Sequence, residues 1–237
     1  MPTDDLLAVI GRADELYRKR ARPGAVRESV MILSGAHDGN DRYEVQWRLS
    51  RALFFLGQEA TSRVSRSQLH AAGIGAGERA VALNAERVEG HFWVGVNLAL
   101  FAENHGGWRG LRALFWAKSE LKLAMKINET YHDAGPLRVL GRLAHKAPRW
   151  LGGGMRLSET YYNRALEVAP ANTVTLLYAA ELALEQNRPS RALKLLGLLD
   201  SAPADGDWEF EQRRDRQLAR DLRARIGLAG QSGASRN

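Results

Sequence analysis

Apolar residues recur at helical spacing along almost the whole chain. The first stripe consists of Leu6, Ile10, Ala13 and Tyr17, and the pair Pro23-Gly24 ends it. Later stripes repeat the same period, which is typical of helices that bury one face. No turn dipeptide in the chain is flanked by alternating, β-branched strand patterns. We therefore predict an all-α protein.

Three short segments of the chain resemble one another, and each precedes a turn. They are residues 79–84 (RAVALN), 123–128 (LAMKIN) and 164–170 (RALEVAP). Small residues such as Ala124, Ala165 and Ala180 would allow neighbouring backbones to approach, while large residues fill the grooves between helices. This packing rule predicts a tetratricopeptide-like right-handed solenoid of about five helix pairs, closed by a C-terminal capping helix.

The three middle pairs are longer than ordinary repeats of this type. We predict inserted loops at residues 61–77, 103–116 and 146–154, the first of them rich in Ser and Gly with one short helix. The capping helix is predicted from about Trp208 to Ile226, with Gly227 ending it. A single domain over residues 1–227 and a disordered tail over residues 228–237 follow from this organisation.

Two runs in the middle of the chain resemble a known family. Residues 131–141 (YHDAGPLRVLG) followed by 147–153 (APRWLGG), together with 89–98 (EGHFWVGVNL), are similar to the T-components of tetratricopeptide-associated TRAP transporters. The resemblance extends from about Tyr43 to Leu199. It implies a non-enzymatic scaffold that can form a ring with an apolar channel and that partners an extracytoplasmic solute-binding protein. Eukaryotic regulator of microtubule dynamics proteins share a similar layout and resemble the chain less closely.

The composition restricts the chemistry and the location that we expect. The chain has no cysteine, which excludes disulfides, thiol catalysis and iron–sulfur clusters. The acidic start, MPTDD, is unlike a signal peptide, no lipobox is present, and no apolar run has the roughly 18 residues of a membrane span. We expect a cytoplasmic protein as written, or a periplasmic one if a leader was removed.

The sequence contains no motif that predicts catalysis or metal binding. HExxH and GxSxG are absent, and Gly152-Gly153-Gly154 lacks the Lys-Ser/Thr ending of a phosphate loop. We therefore predict no catalytic residue, no metal, no cofactor and no enzymatic activity.

The repeat register predicts a concave groove, lined by the first helix of each pair. The residues assigned to it are Arg48, Phe55, Phe92, Val96, Leu100, Arg138, Arg142, His145, Leu177 and Glu181. An apolar wall beside basic groups suits an amphipathic anion or an acidic, apolar peptide. In the alternative interpretation, the apolar residues are interhelical core and the arginines pair with nearby glutamates.

Two further features could carry interactions. Trp108, Phe115 and Trp116 follow Gly106-Gly107, and we predict a lid or subunit contact there, or else a short helix packed onto the core. The net charge is +7 and six arginines lie between Arg213 and Arg225, but Asp215 and Asp221 are interleaved with them. This pattern favours a solvated cap over nucleic-acid binding.

The predicted function is a non-catalytic scaffold that binds a partner protein, an amphipathic anionic ligand, or both. The partner would be a solute-binding protein or a peptide segment, and assembly into a homo-oligomer is part of this prediction. The alternative is a cytoplasmic adaptor that holds a partner's peptide in its concave groove.

Overall fold

The computed structural model describes residues 3–36 and 41–234, and all regular elements within these ranges are helices. The all-α prediction is confirmed. The described residues form the helices α1 (Thr3–Arg18), α2 (Ala25–Ser34), α3 (Tyr43–Glu59), α4 (Arg63–Leu83), α5 (Val88–Asn104), α6 (Gly107–Ile127), α7 (Tyr131–Lys146), α8 (Met155–Val168), α9 (Thr173–Glu185), α10 (Pro189–Asp200) and α11 (Glu209–Ala234).

The chain divides into two compact units. Residues 1–131, the amino-terminal unit, contain α1 to α6, and residues 132–237, the carboxy-terminal unit, contain nearly all of α7 and α8 to α11. The single domain predicted over residues 1–227 stays a prediction.

Each unit is built from neighbouring helices that pack side by side. In the amino-terminal unit every helix contacts the next, and α3 also contacts α5. In the carboxy-terminal unit α8, α10 and α11 all pack on α9. Ala124, Ala165 and Ala180 are fully buried, as predicted for positions where helices come close. The stacking of helix pairs predicted from the repeat is therefore confirmed within each unit.

α4 is a continuous helix across the segment predicted to be a Ser/Gly-rich loop. It begins after Ser62, whose hydroxyl accepts a hydrogen bond from the Ser65 backbone N–H, and it ends at Leu83. The inserted loop predicted at residues 61–77 is therefore wrong. Glycine weakens an isolated helix, but Gly77 faces α5 so closely that a Cβ atom there would lie 2.6 Å from the Val94 Cβ. Close packing between the two helices outweighs the low helical propensity.

The insertion predicted at residues 103–116 is also wrong. α5 extends to Asn104 and α6 begins at Gly107, so that a short turn joins two long helices. Gly107 has a φ of 62°, which glycine adopts without strain and which allows the abrupt reversal. The third predicted insertion, residues 146–154, does lie between α7 and α8 and contains a 3₁₀ turn at Arg149–Leu151.

α11 confirms the C-terminal helix and part of its predicted apolar stripe of Phe210, Leu218, Leu222 and Ile226: Leu222 is buried and Ile226 packs against the core. Leu218 is exposed, however, whereas Asp215 is completely buried. The Thr173 hydroxyl donates a 2.8 Å hydrogen bond to the Asp215 carboxylate, and Arg214 donates two more. These partners offset the cost of burying the charge, which hydrophobicity alone cannot indicate.

The end of α11 lies further along the chain than predicted. The helix continues past Gly227 to Ala234. Residues 235–237 are outside the described residues, and the disorder predicted for the tail stays a prediction.

A buried polar network joins α3, α4 and α5. The Asn97 side-chain amide donates to the Ser50 carbonyl oxygen at 3.0 Å, and the Ser50 hydroxyl donates to the Gly73 carbonyl oxygen at 2.8 Å. The Nδ1 atom of His70 lies 3.1 Å from the Asn97 Oδ1 and donates to it. Burial lowers the pKa of His70 and so favours the neutral ring in the folded protein. The network satisfies groups that would otherwise be buried without partners.

We predict that Gly77→Ala lowers the free energy of unfolding by about 2–3 kcal/mol. The new Cβ would lie 2.9 Å from the Val94 Cα and 3.0 Å from its backbone nitrogen, and backbone cannot move aside cheaply. Chemical denaturation measures the effect.

Gly75→Ala is the matched control in the same helix. Its Cβ would meet only the Arg79 Nη1, at 3.7 Å. It should stabilise the protein by up to about 1 kcal/mol through helical propensity. Equal stability of the two variants would contradict the close approach of α4 and α5.

Candidate functional site

The predicted groove residues of the amino-terminal unit are mostly part of its core. Phe55, Phe92 and Val96 are buried, and Leu100 is half-buried. The rings of Phe55 and Phe92 lie 6.2 Å and 4.9 Å from the Trp93 ring, centroid to centroid. These side chains fill the space between helices, which matches the alternative interpretation of the sequence.

Arg48, the basic groove residue predicted in this unit, is held by two carboxylates. Its Nη2 donates to Asp14 at 2.8 Å and its Nη1 to Glu44 at 2.5 Å. Burial would raise the pKa of Asp14, but hydrogen bonds from Arg48 and Arg51 outweigh it and keep this pKa below its usual value. The Arg48 guanidinium therefore already has the acidic partners that a ligand would have to replace.

The groove residues of the carboxy-terminal unit are brought together, but they pair with one another or with neighbours. Arg142 of α7 forms an ion pair with Glu181 of α9, and both were predicted groove residues. The Nε2 of His145 lies 2.8 Å from a carboxylate oxygen of Glu185. Leu177 is buried in the core. The pairing of Arg142 with Glu181 matches the alternative interpretation of the sequence, in which the arginines pair with nearby glutamates.

Arg138 is buried, with 5% of its surface exposed. Its Nη1 donates to the carbonyl oxygen of Asp133 at 2.9 Å. This bond supports an unusual turn, because His132, Asp133 and Ala134 have φ values of 53°, 52° and 59°. Such non-glycine conformations cost on the order of 1–3 kcal/mol each. Arg138 thus stabilises the start of α7, a role that its sequence position did not indicate.

The exposed face of α6 combines aromatic, aliphatic and basic side chains. We call it the α6 face, and it consists of Trp108, Arg109, Arg112, Phe115, Trp116, Lys122, Leu123, Lys126 and Ile127. Trp108, Phe115 and Trp116 are 76%, 52% and 37% exposed. The three aromatic residues predicted to form a lid or subunit contact therefore lie on a regular helix, and more than half of the Trp108 and Phe115 surfaces is exposed. Leu123 and Ile127 were not predicted to join them.

The α6 face is exposed because α6 uses small residues to contact α5. Its buried positions are Gly110, Ala113, Ala117, Leu121 and Ala124. On the α5 side, a Cβ atom on Gly95 would lie 2.8 Å from the Leu121 Cγ, so the helices are already as close as glycine allows. Trp108, Phe115, Leu123 and Ile127 lie on the opposite side of the helix by helical periodicity.

The basic residues of the α6 face have no acidic partner. Arg109, Arg112, Lys122 and Lys126 form no ion pair with any residue in the described ranges. Glu120 is the only acidic residue in α6, and its side chain points towards α5. The face therefore presents uncompensated positive charge beside exposed aromatic rings.

Glu120 connects the α6 face to the core. One carboxylate oxygen accepts a 3.0 Å hydrogen bond from the Trp116 indole, and the other lies 2.6 Å from the Nδ1 of buried His91. The His91 Nε2 faces the Ala85 carbonyl oxygen at 2.9 Å. The hydrogen bond to Glu120, and to a lesser extent that to Ala85, raises the pKa of His91 above its ordinary value. A protonated His91 can donate to both acceptors. It thereby holds Glu120 in place, and Glu120 in turn orients the Trp116 indole.

Two further features are absent from the described ranges. These residues include no group of three or more His, Cys, Asp or Glu side chains arranged to hold a metal ion. None of their helices is both long and apolar enough to cross a membrane.

We predict that the stability contributed by His91 falls as the pH rises. A folded-state pKa above the unfolded value means that this contribution is complete below about pH 6.5 and is lost as the pH passes the folded pKa. The free energy of unfolding of the wild type, relative to His91→Gln, should therefore be larger at about pH 6 than at about pH 9.

His70→Gln provides a control of opposite sign. Because burial lowers the pKa of His70, the wild type should lose its advantage over this variant as the pH falls below about 6.5. Parallel pH dependence of the two differences would contradict the proposed charge state of His91.

The fold is similar to solved tetratricopeptide (TPR) structures. A thermophilic TPR protein of Thermus thermophilus matches with a TM-score of 0.66 and 21% identity, over 93% of this chain and 98% of that one. Two crystal structures of MamA match with TM-scores of 0.51 and 0.50, each at 14% identity, over 84% and 90% of this chain and 95% of theirs. At these identities the matches establish the fold alone. No curated protein sequence matches the chain.

A family model identifies the relationship more directly. The model for regulator of microtubule dynamics protein 1-3 matches residues 9–146. This is the second of the two resemblances noted in the sequence, and none of these matches is a TRAP transporter component. Because the match covers more than half of the chain, the protein belongs to the regulator of microtubule dynamics protein 1-3 family.

Proposed function

We propose that this protein is a non-catalytic helical-repeat scaffold that binds a partner protein through the α6 face. The observation that carries the proposal is the exposure of large apolar side chains on a regular helix, with Trp108 76% exposed. Exposed apolar patches of this kind mark interaction sites in folded proteins. Trp, Phe and Arg are also the residue types enriched in protein interfaces.

The hydrogen bonds that orient Trp116 strengthen the proposal. Its indole is hydrogen-bonded to Glu120, which is in turn paired with buried His91. A side chain that is oriented before binding loses less conformational freedom when a partner covers it. Trp116 is therefore suited to act as an anchor.

A ligand groove like that implied by the T-component resemblance has less support. An anion there would have to displace Glu181 from Arg142, and the Arg138 guanidinium is engaged with backbone carbonyls. Ligand binding at these residues stays a prediction, as does a role in transport.

Site-specific photocrosslinking tests the proposal. A benzophenone amino acid replaces Phe115, and in a second protein it replaces Leu198 of α10, an exposed position outside the α6 face. Irradiation in cells of the native host should give a discrete protein adduct from position 115 and none from position 198. Because the family is named for microtubule dynamics, tubulin is one candidate to look for in the adduct.

A second variant separates specific binding from adventitious contact. Trp108→Ala combined with Trp116→Ala should abolish the adduct at position 115, because it removes two aromatic anchors from the face. Identical adducts at positions 115 and 198, or an adduct that survives the double substitution, would reject the α6 face as the docking surface.

A further inference from the structure

We propose that the α6 face binds an acidic amphipathic helix of its partner. This inference rests on the proposed function and specifies the chemistry of the partner. It follows from three properties of the face: its unpaired cations, the position of two of them among the aromatic residues, and the helical spacing of its apolar side chains.

The positive charge of the α6 face is available to a partner. Elsewhere in the amino-terminal unit, arginines such as Arg12, Arg22 and Arg87 form ion pairs with carboxylates of the same unit. The four cations of the α6 face form none within the described residues. A partner that brings carboxylates would therefore form new ion pairs without having to break existing ones.

Two of the four cations, Arg112 and Lys126, lie among the aromatic residues of the face, while Arg109 and Lys122 lie at its edges. With about 100° of rotation per residue, Arg112 and Lys126 project within about 40° of Trp108. Any surface that covers Trp108 and Phe115 must therefore also cover these charges. A partner that supplied only apolar groups would bury them without compensation.

This arrangement separates a protein partner from two other occupants. A lipid bilayer could take up Trp108 and Phe115 only to the depth at which Arg112 and Lys126, on the same side of the helix, stay among its headgroups, because a charged group is costly in hydrocarbon. A second copy of the same face would bring like charges together. A protein segment with carboxylates between apolar side chains would pair with the cations of the α6 face and also cover its apolar side chains.

The spacing of the apolar side chains indicates that this segment is helical. Trp108, Phe115, Leu123 and Ile127 are separated by seven, eight and four residues, which correspond to about two turns, two turns and one turn. They form a ridge about 28 Å long, into which the side chains of a second helix can pack. The complementary helix would carry apolar residues at i, i+4, i+7 and i+11, with Glu between them.

Binding of a designed peptide to the full chain tests this inference. The probe is a labelled amphipathic helix of about 20 residues with Leu at the apolar positions and Glu between them. Its counterpart keeps every Leu and replaces each Glu by Gln. Fluorescence anisotropy should show that the Glu peptide binds at least about tenfold more tightly, with an advantage that shrinks as salt rises.

Charge variants of the protein locate the effect. Arg112→Gln combined with Lys126→Gln should weaken binding of the Glu peptide by about tenfold and leave the Gln peptide unchanged. The control combines Arg156→Gln with Lys194→Gln, two exposed cations of the carboxy-terminal unit, and has the same net charge. It should change the affinity by less than about twofold.

The possible outcomes distinguish this inference from the proposed function. No peptide binding, equal binding of the Glu and Gln peptides, or equal effects of the two double variants would overturn the acidic helix. An adduct at position 115 would still support a protein partner in that case. Tighter binding to phosphatidylcholine–phosphatidylserine vesicles than to the peptide, or dimerisation abolished by Trp108→Ala, would also reject it in favour of a membrane or a second copy.

Discussion

Backbone-level contact between neighbouring helices is the constraint on which the rest of this structure depends. A Cβ atom would lie within 2.8 Å of a side chain of the adjacent helix at Gly77 against α5, at Gly95 against α6 and at Gly141 against Tyr162 of α8. Helices this close exclude large side chains from the line of contact. Alanine and glycine therefore occupy these positions. Glycine destabilises an isolated helix, but the dispersion contacts and hydrophobic burial between closely packed helices offset that cost.

The α6 face is a consequence of the same constraint. α6 turns Gly110, Ala113 and Ala117 towards α5, so its tryptophans and phenylalanine must lie elsewhere on the helix. No further helix of the described residues covers them, since they are exposed in the folded chain. A helix whose core-facing side is made of small residues and whose large apolar residues face solvent has its polarity partly reversed. On that reversal rests the proposal that the α6 face is a binding surface and not a solvated outer face.

Three arginines predicted to bind a ligand form contacts that hold the fold together. Arg48 pairs with carboxylates between α1 and α3, Arg138 supports a left-handed turn, and Arg142 joins α7 to α9. These three arginines already have partners within the folded protein, although the sequence pattern predicted that they bind a ligand. The four cations of the α6 face, Arg109, Arg112, Lys122 and Lys126, form no such ion pair within the described residues.

The sequence by itself determined the helical class, the stacking of helix pairs and the burial of residues such as Ala124 and Ala180, because helical periodicity and the small–large alternation are local properties of the chain. It also singled out Trp108, Phe115 and Trp116. Only the tertiary structure decided that the glycine-rich segment of α4 is helical, that Asp215 is buried, and that Arg142 faces Glu181. Each of these depends on a contact partner that is distant in sequence, and a local pattern cannot specify what lies across an interface.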